Sequence, residues 1–351
     1  MNTRTQEETS RPLGVIGSLT AGFEMVGRHL WLILLPVLLD LFLWLGPRLS
    51  TAPLLQRFVA FLMVQPAPDP TTARQVEQAV QLLEQFGEQF NLLSLLSALP
   101  LLDVPSLLAR HAPGVLSPLG ESRVLLVASG LMLIAWGGAL VLIGLVLGFL
   151  YLNGLARRVR ATRSFDGQGG GSSEPEDAEQ SVRVSSGVGK LVQIFLFAAG
   201  LLAVGLMLFP LWGLFVGAVL AIAPPVGLLV WSFSIGLGGY LALHLLFVVP
   251  GVLLGERGLW QATRESVMLV HTRFLSVVAL ILLVLIIYGG LGFIWSLPSG
   301  DSWSLLVGIL GNGCIATGLT AAVFVFYQEQ VAGSSGQRGG EVRRQWTGKG
   351  S

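Results

Sequence analysis

Four polar residues inside long apolar runs are the strongest candidates for chemistry in this sequence: Asp40, His244, Asn312 and Thr317. A charged side chain near the middle of a bilayer costs about 2.5 to 3.5 kcal/mol on insertion scales, so such groups normally face the interior of a helix bundle. A carboxylate and an imidazole in that setting could form part of a path for protons or ions. The alternative is that Asp40 is structural, either paired with one neighbour or kept neutral by a bound proton.

Asp40 is expected to point into the bundle. It lies six residues before Gly46, where its apolar run ends, and a short carboxylate cannot reach the headgroups from that depth. Pro36 lies one turn earlier and removes a backbone donor, which loosens the helix there. A buried carboxylate must find a donor or bind a proton. By composition, His244 is the intramembrane donor that we expect.

No arrangement of residues in the sequence indicates an enzyme. The four histidines form no His-Glu-x-x-His metal helix, and there is no Gly-x-Ser-x-Gly elbow. Residues 187–190 are similar to the end of a phosphate-binding loop, but Val184 replaces its first glycine and Leu191 its magnesium-binding Ser or Thr. Cys314 is the single cysteine, which excludes disulfides and cysteine-rich metal sites. We therefore predict a non-enzymatic protein without a cofactor or a metal.

The elements that carry these residues are membrane-spanning helices. Hydrophobic residues make up 53% of the chain and charged residues only 12%, and the apolar runs are continuous rather than alternating. A net charge of +1 with no concentrated basic face argues against a nucleic-acid partner. The predicted fold class is an all-α polytopic bundle of about six spans.

The apolar runs and the segments between them give the predicted order of the chain. It comprises a tail with an in-plane amphipathic helix (1–29), span 1 (30–46), an extracytoplasmic helical cap (47–123), span 2 (124–152), a basic loop with a disordered linker (153–190), spans 3 and 4 (191–254), a second in-plane helix (255–273), spans 5 and 6 (274–327) and a disordered tail (328–351). Within 191–254, residues 211–225 are expected to form an apolar outer connection that re-enters the membrane or lies at the interface.

The distribution of basic residues predicts the orientation. With six spans, 16 Lys and Arg residues lie on the side of the termini and five on the other side, and loops rich in these residues stay in the cytoplasm. We expect a multi-pass protein of the plasma membrane with both termini in the cytoplasm. Arg157, Arg158 and Arg160 follow span 2, either to meet anionic headgroups or simply to set the topology.

An internal repeat at an offset of 244 residues is a further prediction. Apolar residues recur at helical spacing before span 1 and again before span 5. The two sets are Ile16, Leu19, Phe23, Val26 and Leu30, and Trp260, Thr263, Val267, Val270 and Phe274. A weaker third copy begins near Ser181, so the unit would be an in-plane helix followed by two spans. The competing interpretation is that amphipathic segments commonly precede any membrane helix.

The cap and the small residues in the spans are the remaining features. The sequence from Asp69 is a good helix start, and an apolar stripe runs from Val76 to Leu93. The cap either packs on the outer ends of the spans or binds a partner. Small residues four apart let backbones approach closely in lipid and allow self-association. They are Gly144 and Gly148, Gly213 and Gly217, and Ser234 and Gly238.

Residues 240–266 carry a resemblance. A span that ends near Pro250 is followed by a glycine-containing turn and an amphipathic helix with Ala262 and Ser266. This pattern resembles uncharacterised bacterial six-span membrane proteins, which are similar to the membrane domain attached to glycerophosphoryl diester phosphodiesterases. The match covers about the last third of the chain and implies the fold but no catalytic residue.

Three functional classes remain open on the sequence. The leading prediction is a non-enzymatic protein whose cap and in-plane helices organise membrane lipids or bind a membrane protein partner, including a second copy. The alternative is a transporter or channel that uses Asp40 and His244, and the third class is an unrecognised membrane enzyme. A water-accessible cavity between spans 1 and 4 would favour transport, and a convergent group of titratable side chains would favour an enzyme.

Overall fold

The chain folds as an all-α bundle, as predicted. The computed structural model describes residues 14–64, 70–99, 101–110, 116–167, 176–255 and 258–347. Its helices are α1 (Val15–Arg28), α2 (Leu34–Leu45), α3 (Ala52–Val64), α4 (Pro70–Gln89), α5 (Gly130–Gly167), α6 (Glu176–Ile222), α7 (Pro224–Leu245), α8 (Val248–Leu254), α9 (Leu259–Thr272), α10 (Phe274–Ser296) and α11 (Leu305–Thr347). Short 3-10 helices cover Leu30–Ile33 and Leu92–Ser97.

Five helical segments of the described chain are long and apolar enough to cross a membrane. They are Gly130–Thr162, Gly187–Ile222, Pro224–Leu254, Phe274–Ser296 and Leu305–Val331. A sixth crossing exists if α1 and the segment Leu30–Leu45, which meet at a bend of 94°, count together as one broken span. Segment 30–45 alone is about 24 Å long at 1.5 Å per residue, shorter than the roughly 30 Å of a hydrocarbon core.

Spans 3 and 4 differ from the prediction. Residues 211–222 do not form the expected outer connection, because α6 continues through Pro210 to Ile222 and α7 begins after Ala223 alone. A proline inside a helix removes one hydrogen bond but does not have to end the helix when its surroundings are apolar. The turn comes instead at Pro224 and Pro225, where proline occupies the first helical positions and loses no helical bond.

The segments predicted to be disordered contain more helix than expected. Helix α11 runs on to Thr347 through the Gly- and Ser-rich tail, and the disorder expected there from 328 onward stays a prediction. In the loop 153–190, α5 extends to Gly167 and α6 begins at Glu176. Residues 168–175 of the expected linker lie outside the described chain.

The described residues fall into two compact units. The first unit contains α1 and α6 to α9 together with residues 152–167, 274–284 and 318–347. Its core holds Phe247, whose ring centroid lies 5.9 Å from that of Phe326 and 5.9 Å from that of Tyr327. The Lys190 ammonium donates to the carbonyl of Leu253 at 3.1 Å, near the end of α8.

The internal repeat is visible in the first unit. Helix α9 begins and ends 244 residues after α1, and in each case one residue separates the helix from the next helical segment. The buried positions repeat at the same offset: Ser18 with Ala262, Gly22 with Ser266, Met25 with Leu269, and Val26 with Val270. A shared burial pattern favours a true repeat over two unrelated amphipathic segments. The third copy forms no separate helix, because α6 is continuous there.

The buried face of α1 and α9 includes small residues, and part of the repeated apolar set is exposed. Ile16 and Trp260, at equivalent positions, are among the most exposed side chains of α1 and α9. The small residues face inward instead: a Cβ on Gly22 would lie 2.6 Å from the backbone nitrogen of Ala322. Close backbone approach therefore decides which face packs, since a small residue allows it and a large apolar residue does not.

The second unit contains residues 29–151 and 285–317. Strand β1 (Arg48–Ser50) follows α2 and pairs in parallel with β4 (Val124–Leu126), which precedes α5, and a small hairpin joins β2 (Leu116–Ser117) to β3 (Gly120–Glu121). Helices α3 and α4 pack against each other as an antiparallel hairpin. The predicted helix start is confirmed at Pro70, and the stripe is buried at Val80 and Leu93.

Candidate functional site

A largely irregular stretch, residues 92–110, forms the core of the candidate site, and we call it the inserted segment. Most of its side chains are buried, including Leu96, Leu102, Val104 and Leu107. It packs against Gly144 and Gly148 of α5. These glycines lie in the middle part of the 33-residue segment Gly130–Thr162, each about 21 Å from its nearer end at 1.5 Å per residue. Part of the predicted cap is therefore inserted among the spans.

Glycine is required where the inserted segment meets α5. A Cβ on Gly144 would lie 2.6 Å from the carbonyl oxygen of Leu96, and a Cβ on Gly148 would overlap the carbonyl oxygen of Leu102. Gly144 and Gly148 were predicted to let two helices approach each other. They contact the irregular backbone of the inserted segment instead. Next to this contact, Leu101 has a φ of 68°, a left-handed conformation that is strained for a leucine.

Irregular backbone at membrane depth needs internal hydrogen-bond partners, because lipid offers none. Asp40 supplies them for the second half of the inserted segment. Its carboxylate accepts from the Ser106 hydroxyl at 2.5 Å and from the backbone N–H groups of Leu107 at 3.0 Å and Leu108 at 3.1 Å. Earlier in the segment, the Ser97 hydroxyl donates to the Val104 carbonyl at 2.6 Å.

The prediction that Asp40 faces the protein interior is confirmed, since its side chain is fully buried. Its donor is not the expected one. The Asp40 carboxylate takes its hydrogen bonds from residues 106–108, whereas the Nδ1 of His244 lies 2.8 Å from the carbonyl of Tyr240 on its own helix. Asp40 therefore acts as an acceptor that fixes a backbone turn, which is the structural alternative given above.

A charged pair, Asp103 and Arg110, lies on the two sides of this turn in the inserted segment. The Arg110 guanidinium lies 3.4 Å from the Asp103 carboxylate and 4.6 Å from the centre of the Tyr288 ring. Tyr288 is eight residues before the end of α10, about 12 Å along the helix. About half of the Arg110 side chain is exposed and about a fifth of that of Asp103.

Asn312 and Thr317 are both buried on α11, as expected for residues that line a bundle interior. The amide of Asn312 lies beside the Tyr288 hydroxyl, so Asn312 belongs to the same cluster as Arg110 and Asp103. Within the described residues, the Asn312 Nδ2 and the Thr317 Oγ1 have no hydrogen-bond partner. Two of the four predicted site residues, Asp40 and Asn312, thus border the inserted segment and its charged pair, while His244 lies in the first unit.

Sequence reasoning missed Asp103, Arg110 and Tyr288. Residues 92–110 were assigned to a cap outside the membrane, where a charged pair is unremarkable. The available signal was composition: this stretch is rich in leucine and carries Pro100 and Pro105, so it is too apolar for a solvated loop and too irregular for a helix.

The described residues contain no group of three or more His, Cys, Asp or Glu side chains that could hold a metal ion. No family model, no curated protein and no solved structure matches the chain.

Proposed function

We propose that this integral membrane protein works without catalysis and binds the phosphate-bearing headgroup of a membrane lipid at Arg110. The observation that carries the proposal is the charged pair that the inserted segment places beside Tyr288 within the length of α10. Ionisable groups at such depth normally mark a binding site or a pathway. A lipid-organising role is the form of the leading prediction that this geometry supports best.

Arg110 has the chemistry for such a ligand. A guanidinium carries five N–H donors and matches the oxygens of a phosphate, often with two parallel bonds. The contact between Arg110 and Asp103 is 3.4 Å, longer than the 2.7–2.9 Å that is typical of a charge-assisted bond. The ion pair therefore leaves N–H donors of the Arg110 guanidinium for a ligand. The Tyr288 ring supports the flat face of the guanidinium through a cation–π contact.

The orientation of the chain belongs to the same proposal. The 16 to five distribution of basic residues supports cytoplasmic termini and a cap on the other side of the plasma membrane. The inserted segment then opens toward the extracytoplasmic leaflet, and the bound lipid comes from that leaflet.

The test compares lipid retention by Arg110→Gln and Arg74→Gln proteins that are purified in the same mild detergent. Arg74 is an exposed arginine on α4, so its loss is the matched control. We expect native mass spectrometry to show loss of bound phospholipid for Arg110→Gln alone, with an unchanged melting temperature, and partial retention for Arg110→Lys. Equal retention by Arg110→Gln and the unaltered protein would contradict the proposal.

Transport remains a second candidate because of α11. The buried Asn312 and Thr317 each have a polar atom without a described partner, as expected for a path that receives a polar solute. In this case Asp40→Asn would abolish a pH-dependent flux in proteoliposomes while the protein stays folded. If Asp40 serves only the backbone turn, Asp40→Asn is tolerated and Asp40→Leu lowers the stability, because three donors lose their acceptor.

A further inference from the structure

We infer that helix α3 of the cap lies in the membrane interface and anchors the cap in the leaflet on its own side through Phe58, Phe61 and Val64. These side chains are 49%, 62% and 79% exposed. They follow Leu54 at positions i+4, i+7 and i+10, so they form one stripe on the helix. This inference is independent of the lipid site proposed at Arg110.

The pairing of β1 with β4 determines where α3 begins relative to the ends of the membrane helices. Strand β1 begins three residues after α2 ends, and β4 ends four residues before α5 begins, so their pairing lies next to the ends of two membrane helices. Helix α3 begins two residues after β1, and the backbone N–H of Ala52 donates to the Ser50 hydroxyl at 3.2 Å. The first turn of α3 is therefore at the membrane boundary.

A second contact shows that α3 stays at that boundary. The Arg57 guanidinium donates to the carbonyl of Ala128 at 2.9 Å, and Ala128 lies two residues before the first residue of α5. Since Ala52 and Arg57 are both held next to the starts or ends of spans, the helix runs along the boundary rather than away from it. Phe61 is one turn after Arg57 on the same side of the helix.

The occupant that fits this stripe is lipid. An amphipathic helix in the interface buries its apolar face in the region between headgroups and acyl chains, while arginine stays at headgroup level. Arg57 with Phe58 and Phe61 has that arrangement. Strand β4 adds Val124, Leu125 and Leu126, which are also exposed at the same boundary. The opposite face of α3, with Val59 buried, packs within the hairpin.

The test uses spin labels on single cysteines in the full-length Cys314→Ser protein, reconstituted in phosphatidylcholine and phosphatidylglycerol vesicles. Labels replace Phe58, Phe61 or Val64, and a label at Glu84, an exposed residue of α4, is the control. Collision with oxygen reports lipid, and collision with a water-soluble nickel chelate reports water. We expect an oxygen-to-nickel ratio several-fold higher at positions 58, 61 and 64 than at 84.

Two outcomes would overturn the inference. A ratio at positions 58 and 61 equal to that at 84 would place the stripe in water. Low collision rates with both reagents would mean that protein, from a partner or a second copy, covers it. Because these side chains are already exposed, labelling them does not disturb packing, and circular dichroism of each labelled protein verifies that it is folded. Phe61→Ser, with the label at 64, should lower the oxygen collision rate there.

Discussion

At the scale of single residues, the candidate site depends on a few atoms that make close contacts. Asp40 supplies acceptors to a turn 66 residues later in the chain, and two glycines on α5 leave room for a carbonyl each. Arg110 is held between a carboxylate and an aromatic ring. The roles of these residues depend on position more than on type, so matched variants elsewhere on the same helix can isolate them.

Gly148→Ala is expected to destabilise the protein by about 1 to 3 kcal/mol, because the new methyl group must push the Leu102 carbonyl aside. Gly138 lies on the same helix with open space at its Cβ position, so Gly138→Ala is the matched control. That change should be neutral or slightly stabilising, since alanine favours helix. The free energy of unfolding in mixed detergent micelles measures both. Equal values for the two variants would contradict the packing described for the inserted segment.

At the scale of elements, much was predictable from apolar runs, helix starts and the 244-residue offset. The positions of spans 2, 5 and 6, the start of α4 and the repeated helices follow from local pattern, which the structure retains. The inserted segment was not predictable, because its burial depends on contacts with α2 and α5 that lie far away in the sequence. The burial of Gly22 on α1 depends on a similarly distant contact, because the backbone of Ala322 comes close to it.

The repeated helices provide a test at this scale. Gly22→Val should weaken the packing of α1, since a Cβ there already lies within 3 Å of the backbone of residues 318 and 322. Gly27→Val, on the same helix with nothing near its Cβ position, should be neutral or slightly stabilising, because valine has a somewhat higher helix propensity than glycine. The proteolysis rate of the N-terminal segment in detergent distinguishes the two variants. Similar cleavage of both would argue that α1 does not depend on this contact.

At the scale of the whole molecule, the number of spans and their orientation belong together. Five segments are long and apolar enough to cross, and the bent pair α1 with 30–45 decides whether there is a sixth. An even number of crossings would place both termini on one side, and the distribution of basic residues predicts that this side is the cytoplasm. The bend between α1 and the next segment is thus the feature on which the topology depends.

Single-cysteine labelling in the Cys314→Ser protein measures this directly. We expect a cysteine at position 340 to react with an impermeant maleimide only after the cells are opened, and a cysteine at Gln81 of the cap to react in intact cells. Position 340 reacting in intact cells while position 81 is protected would contradict the predicted orientation of the C-terminus.

The inserted segment also has a consequence for biogenesis. Its contacts join Asp40, which is made before it, to Gly148, which is made after it, so the segment cannot be completed while the ribosome is still translating residues 92–110. Until α5 has left the translocon, the apolar, irregular backbone of the inserted segment has no partner. It must therefore stay in the channel or at the membrane surface. The insertase is therefore expected to hold this protein as a partly inserted intermediate, and chaperones that protect unpaired membrane segments are expected to act between the synthesis of span 1 and the release of span 2.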